Sequence, residues 1–191
     1  MPYYHIHHAC TLTESQKHDL ANAITTLHST SFSTPKLFVN VRFTSLKDST
    51  DFYVGGKQTA KTHILAHVRT GSSRTKQHWD KLCADLQECW DEIVPLPKVK
   101  RSAPDEDRSL YSIFILGGMA AGREAGFAIP GAGEDVQWLT ENMGEFKTRA
   151  ANGQEEFADL VKEVEERGLI STNGKAAKDK FEEAMGWGDS A

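Results

Sequence analysis

The chain has 191 residues, of which 39% are hydrophobic and 26% charged, and a net charge of −5, a balance typical of a globular protein long enough to bury a core. No apolar run approaches a membrane span, and the N-terminus lacks the basic and apolar regions of a secretion signal. Three cysteines (Cys10, Cys83, Cys89) without CxxC spacing argue against a disulfide framework and a cysteine zinc site, so the expectation is a cytoplasmic protein with reduced thiols. Charge is uneven. Residues 134–191 carry 14 acidic and 7 basic side chains, and residues 1–133 carry 13 and 15. That pattern argues against nucleic acid, which calls for a clustered basic surface, and leaves room for a small anionic ligand in the first part.

The chain opens MPYYHIHHAC. Pro2 is either a rigid start to a strand or, once Met1 is removed, a secondary amine at the N-terminus. YYHIHHA (3–9) is rich in β-compatible residues and predicts a strand. On it His5 and His7 face one side and His8 the other; with no cysteine or carboxylate at ligand spacing, no metal is expected. Thr13 with Gln16 three residues on forms a capping box. Leu20, Ile24 and Leu27 follow at helical spacing and predict a helix from Glu14 to about His28. LFVNVRF (37–43) alternates and predicts a second strand.

A similar order recurs. After a Gly55-Gly56 turn, THILAHVR (62–69) predicts a strand. Trp79, Leu82, Leu86, Trp90 and Ile93 mark a helix from about Ser73 to Ile93, and LYSIFIL (110–116) another strand. The fold class is therefore α/β (α+β): two β-α-β units joined by a short hairpin, giving a four-stranded sheet with two helices on one face and parallel pairing within each unit. The domain boundary is expected near residue 130. Residues 131–191 then form an acidic helical extension, with apolar stripes at Trp138–Phe146, Phe157–Val164 and Ala177–Met185 separated by Gly153 and Asn173-Gly174.

HVRTGSSRT (67–75) joins a strand end to a helix start, where unsatisfied N–H groups attract anions. Arg69 sits before the loop and Arg74 is placed in the first helical turn, where a cation opposes the dipole. The pair is either two solvated arginines or a site for a carboxylate or phosphate. His28, at the end of the first helix, is either a dipole-compensating residue or a ligand-binding one. GGMAAGREAG (117–126) gives Gly117 and Gly122 Walker A spacing, but Arg123-Glu124 stand where Lys and Ser/Thr are needed, which excludes a phosphate loop. The segment is either a flexible connector or a turn that brings Glu124 close to Pro2 or a ligand.

In this order, the N-terminal Met-Pro, the T-x-x-Q-K helix ending in His28, the strand ending in Arg69 and the second arginine beyond it resemble the tautomerase superfamily. The branch they are most similar to is that of cis-3-chloroacrylic acid dehalogenase. The likeness runs from Met1 to about Pro130 and is strongest in AITTLH (23–28) and GGMAAGREAGF (117–127). It implies a tautomerase/MIF-like fold, a homotrimer and no cofactor. It also implies Pro2 as the catalytic amine, Arg69 and Arg74 as the clamp on a substrate carboxylate, His28 as their helper and Glu124 as the residue that activates water. In one respect the chain departs from the branch: the tyrosine that partners the glutamate falls near Phe114 or Ile115, and neither has a hydroxyl.

Physical chemistry supports the same roles. A free α-amine titrates near 7.7–8.0, and nearby arginines with partial burial lower that value, leaving a competent base near pH 7. The arginines would also stabilise an enolate. The first expectation is a tautomerase/isomerase of small keto-enol or unsaturated carboxylates. A cis-3-haloacrylate dehalogenase or hydratase working through Glu124 is the enzymatic alternative. A non-catalytic trimeric scaffold, with the acidic tail as its partner-binding part, is the alternative of another class.

Overall fold

The computed structural model describes residues 1–47, 51–72, 74–96 and 107–170, which fall in two compact units, Met1–Ala132 and Gly133–Ala191. In the first unit, β1 (Tyr3–His8), β2 (Asn40–Ser45), β5 (Thr62–His67) and β6 (Leu110–Leu116) form one sheet in the order β2-β1-β5-β6. β1 runs parallel to β2 and β5 parallel to β6, while the central pair, β1 and β5, is antiparallel. Each β-α-β unit therefore contributes one parallel pair, as its crossover helix requires. A short hairpin, β3 (Tyr53–Val54) and β4 (Lys57–Gln58), lies between the units, and a second, β7 (Arg123–Glu124) and β8 (Phe127–Ala128), follows β6.

The helices are α1 (Glu14–Phe32) and α2 (Lys76–Ile93). α1 begins at the Thr13/Gln16 capping box, with both reciprocal bonds made. It does not end at His28 but runs one turn further, to Ser33 in the left-handed conformation ahead of Pro35. Ser29, Thr30 and Ser31 do not break it, because hydroxyl residues are only mildly unfavourable inside a helix. α2 begins after Thr75, whose hydroxyl accepts from the His78 N–H while the His78 ring accepts from the Thr75 N–H. Arg74 consequently precedes the helix, correcting its expected place in the first turn; Ser73 lies outside the described residues. β2 also starts later than expected, at Asn40, after a 3₁₀ turn at Lys36–Phe38, and β5 ends at His67 rather than Arg69.

Both helices cover one face of the sheet. Alternate strand residues Tyr4, Ile6, Ile64 and Ala66 pack with Leu20 and Ile24 of α1 and Leu82, Leu86 and Trp90 of α2 in a continuous core. The Trp90 indole donates to the Arg108 carbonyl at 2.9 Å. The other face carries Tyr3, His5 and His7 of β1, His63, Leu65 and His67 of β5, and Phe114 and Leu116 of β6, with Phe114 52% and Leu116 37% exposed.

The second unit contains α3 (Asp135–Ala151) and α4 (Glu155–Glu166), joined through Gly153 at φ +85°. Leu139, Phe146, Phe157, Leu160 and Val164 are buried, matching the first two stripes. The stripe at Ala177–Met185 lies outside the described residues. Among the described residues no helix is long and apolar enough to cross a membrane.

Candidate functional site

The register places the starts of β1 and β2 beside the ends of β5 and β6: Tyr3 faces Asn40 on one side and His67 on the other, and His67 in turn faces Leu116. Pro2, Asn40 and Arg69 therefore meet at one end of the sheet. The Pro2 carbonyl accepts from the Asn40 N–H at 3.1 Å. Met1 is buried at 3% exposure.

His28 reaches this end from α1. Leu20, Ile24 and His28 repeat every four residues, which puts the imidazole on the core-facing stripe. It is 2% exposed, and its Nδ1 lies 2.7 Å from the hydroxyl of fully buried Tyr4. Burial, reinforced by the charges of the N-terminal amine, Arg74 and Arg69, holds the imidazole well below its usual pKa, so it is neutral. His28 is thus a core-side residue of the helix interior, and the dipole role considered for a last-turn histidine does not apply.

Arg69 follows β5 and is 3% exposed; its Nη1 donates to the carbonyls of Pro130 at 2.9 Å and Gly131 at 2.8 Å, fastening the segment after β8. Arg74 donates to the Arg69 carbonyl at 3.1 Å, and its guanidinium lies over the ring of Phe32, 4.6 Å from the centroid, with Trp79 at 6.0 Å. These cation–π contacts and the bond to Arg69 hold the second arginine ahead of α2.

Glu124 is carried on β7, the first strand of a hairpin whose turn is Ala125-Gly126, both at positive φ. Its carboxylate accepts from the Asn40 side-chain amide at 2.6 Å. Burial raises its pKa above the ordinary carboxylate value, opposed by the Asn40 hydrogen bond and by the N-terminal amine and Arg69. The N-terminal amine and Arg69 act on both His28 and Glu124, and Arg74 on His28, so all five expected residues gather at this end.

Two further residues belong to this cluster, Asn40 and Tyr4. Tyr4 shares the inward phase of Ile6, and a buried tyrosine needs a partner for its hydroxyl; that signal was available in the strand pattern. Asn40 carried no local signal, because its partner is 84 residues away. Of the two residues near which the resemblance places a tyrosine, Phe114 lies on the open face of the sheet and Ile115 on the helix face. The histidines stay apart by face: His5, His7 and His63 stack on the open side, and the His8 Nδ1–H donates to the Cys10 carbonyl at 2.8 Å. Among the described residues no three His, Cys, Asp or Glu side chains are grouped to hold a metal.

A family model described as "Putative oxalocrotonate tautomerase enzyme" matches residues 1–143. Among solved structures, N1, a member of the cis-3-chloroacrylic acid dehalogenase family, is similar with 22% identity and a TM-score of 0.59, over 83% of this chain and 99% of that one. A second, described as "a probable enzyme from the thermophilic fungus Aspergillus fumigatus", has 21% identity and a TM-score of 0.54, over 74% of this chain and 94% of that one. At these identities the likeness is one of fold. A comparison with curated proteins found no match.

Proposed function

The chain belongs to the oxalocrotonate tautomerase family whose model it matches, and on that premise we propose that it is a cofactor-independent tautomerase of small keto-enol or unsaturated carboxylates. Removal of Met1 turns the nitrogen of Pro2 into a secondary amine. That amine takes a proton from carbon and returns it to oxygen, or the reverse. Arg69 and Arg74 hold the substrate carboxylate and, with His28, oppose the charge that develops on the enolate oxygen. The observation that carries this reading is the gathering of the N-terminus, Arg69, Arg74 and neutral His28 at one end of the sheet. The base role requires the Pro2 amine in its neutral form, which positive charge at the same end of the sheet favours.

The test is enol-to-keto turnover of phenylenolpyruvate. Wild-type protein lacking Met1 turns it over, and Pro2→Ala loses most of that activity. Turnover unchanged in Pro2→Ala would return Pro2 to a rigid start of the strand, and retained Met1 with no turnover would favour the scaffold reading.

One observation favours a second activity. Glu124 is held by Asn40 within reach of the N-terminal charge, the placement a water-activating carboxylate needs. Hydration of a cis-3-haloacrylate would then be lost in Glu124→Gln while tautomerase turnover persists. The chain is further proposed to assemble as a homotrimer through the open sheet face. Exposed Phe114 and Leu116 beside Leu65 support this, because apolar residues grouped on an uncovered face mark an association surface. Sedimentation of wild-type and Phe114→Glu protein tests it.

A further inference from the structure

We propose that Tyr4 is a positioning residue: its hydroxyl fixes His28 as the Nε2–H tautomer, so that His28 meets the substrate as a hydrogen-bond donor and keeps its proton throughout. The part of this that concerns substrate rests on the tautomerase reading above; the part that concerns Tyr4 and His28 rests on their geometry.

Tyr4 is fully buried, and burial pushes its phenol far above its ordinary pKa, so the hydroxyl carries its hydrogen. That hydrogen needs an acceptor. Among the described residues the hydroxyl makes one hydrogen bond, to His28 Nδ1 at 2.7 Å. If Nδ1 held the proton, it would donate to the phenol oxygen and leave the phenol hydrogen buried with no acceptor, an arrangement that native structures avoid. Tyr4 O–H therefore donates, Nδ1 accepts, and the one proton of the neutral imidazole sits on Nε2.

The imidazolium form is disfavoured from every side that faces the ring. Arg69 lies beyond β5 and Arg74 ahead of α2, both permanently cationic, and the N-terminal amine at the start of β1 adds to their repulsion whenever it carries a proton. From its own helix His28 meets the ring of Phe32, 4.6 Å between centroids. The rings Tyr4, His28, Phe32 and Trp79 form a chain of contacts that leaves the imidazole little rotational freedom. Nε2 makes no hydrogen bond to protein among the described residues, and the ionised groups around it are cations. What that N–H can meet there is a substrate oxygen.

In the reaction, the C–H bond next to the substrate carbonyl breaks as Pro2 nitrogen takes the proton. The electron pair moves to form the C=C bond, and the carbonyl oxygen becomes an enolate. The same proton then passes from the Pro2 ammonium to that oxygen. Nε2–H stays bonded to nitrogen and strengthens its hydrogen bond as the oxygen gains charge, the condition for lowering a barrier.

The direct test is ¹⁵N NMR of the imidazole nitrogens in histidine-labelled full-length protein, which needs no turnover. The expected result is a His28 Nε2–H tautomer whose titration lies well below the ordinary histidine range, and a mixture or shift of tautomers in Tyr4→Phe, with circular dichroism checking that the variant folds. Kinetically, Tyr4→Phe lowers kcat by about tenfold, the contribution of one well-placed hydrogen bond. His28→Gln, which keeps an N–H near the Nε2 position, retains more activity than His28→Ala. An Nδ1–H tautomer in the wild type, a His28 imidazole titrating like an ordinary exposed histidine, or a Tyr4→Phe variant with unchanged tautomer and rate would overturn the proposal. Nε2–H in a protein with no tautomerase turnover would sink the tautomerase reading alone and leave the hold of Tyr4 on His28 standing.

Discussion

The side-chain amide of Asn40 donates to the carboxylate of Glu124 at 2.6 Å, while the backbone N–H of Asn40 donates to the carbonyl of Pro2 at 3.1 Å. One residue at the start of β2 thus ties the N-terminus to the hairpin that carries the acid. Asn40→Ala removes the hydrogen bond that opposes burial, so the Glu124 pKa rises further. ¹³C NMR of the carboxyl group measures it. Any Glu124-dependent activity falls by about tenfold, the scale of one charge-assisted hydrogen bond, and falls more at low pH. A Glu124 titration unaltered by the substitution would show that the two side chains do not meet in solution.

The two arginines separate by experiment. Arg69 is buried and satisfies the carbonyls of Pro130 and Gly131, so Arg69→Ala strands those acceptors and destabilises the fold by about 2 kcal/mol as well as weakening carboxylate binding. Arg74 lies across Phe32 and donates to the Arg69 carbonyl. Arg74→Ala therefore raises KM for a carboxylate substrate with a smaller loss of melting temperature. Denaturant titration beside steady-state kinetics distinguishes the two, and equal losses of stability would contradict this division.

Much of this was legible in the sequence, and the parts that were not have identifiable reasons. The β-compatible run at residues 3–9, the apolar run at 110–116 and the Thr13/Gln16 box define β1, β6 and the start of α1 because each is a local pattern. The end of α1 was not legible, since its stop depends on Ser33 adopting φ +52° and not on the Ser/Thr run before it. Arg74 was misplaced because the second capping box uses His78 at the position where glutamate or glutamine is usual. Asn40 lay beyond any local reading, because parallel pairing with β1 and a contact with a distant hairpin give it its role.

Ala125 sits at φ +49° in the turn that presents Glu124. An alanine there carries the steric penalty of the left-handed region, which glycine avoids. Ala125→Gly is expected to stabilise the protein by about 0.5–1 kcal/mol by removing that strain. Chemical denaturation of the two proteins checks it; a loss of stability would mean that the turn adopts another conformation.

Acid weakens the fold through its histidines. Burial first, then the charges of neighbouring His5, His63, Arg42 and His8, lowers the His7 pKa to about 4, and His5 and His28 are also lowered. The folded state then binds fewer protons than the unfolded chain, so stability falls as pH drops from about 6.5 toward 4. Asp107, held to about 2 chiefly by its hydrogen bond from Lys61, loses its contribution only below about pH 4. Melting temperatures between pH 8 and 4 should decline, and less steeply in His7→Gln; a flat profile would contradict the lowered pKa values of His5 and His7.

The central claim is that Pro2 presents a free amine beside a carboxylate clamp. Its most direct test is intact mass and peptide mapping after incubation with an electrophilic 2-oxo-3-alkynoate. The account predicts a chain without Met1, carrying one adduct on the nitrogen of Pro2 and protected by a competing 2-oxo carboxylate. A chain that retains Met1, or one that lacks it and stays unlabelled at Pro2, would contradict it.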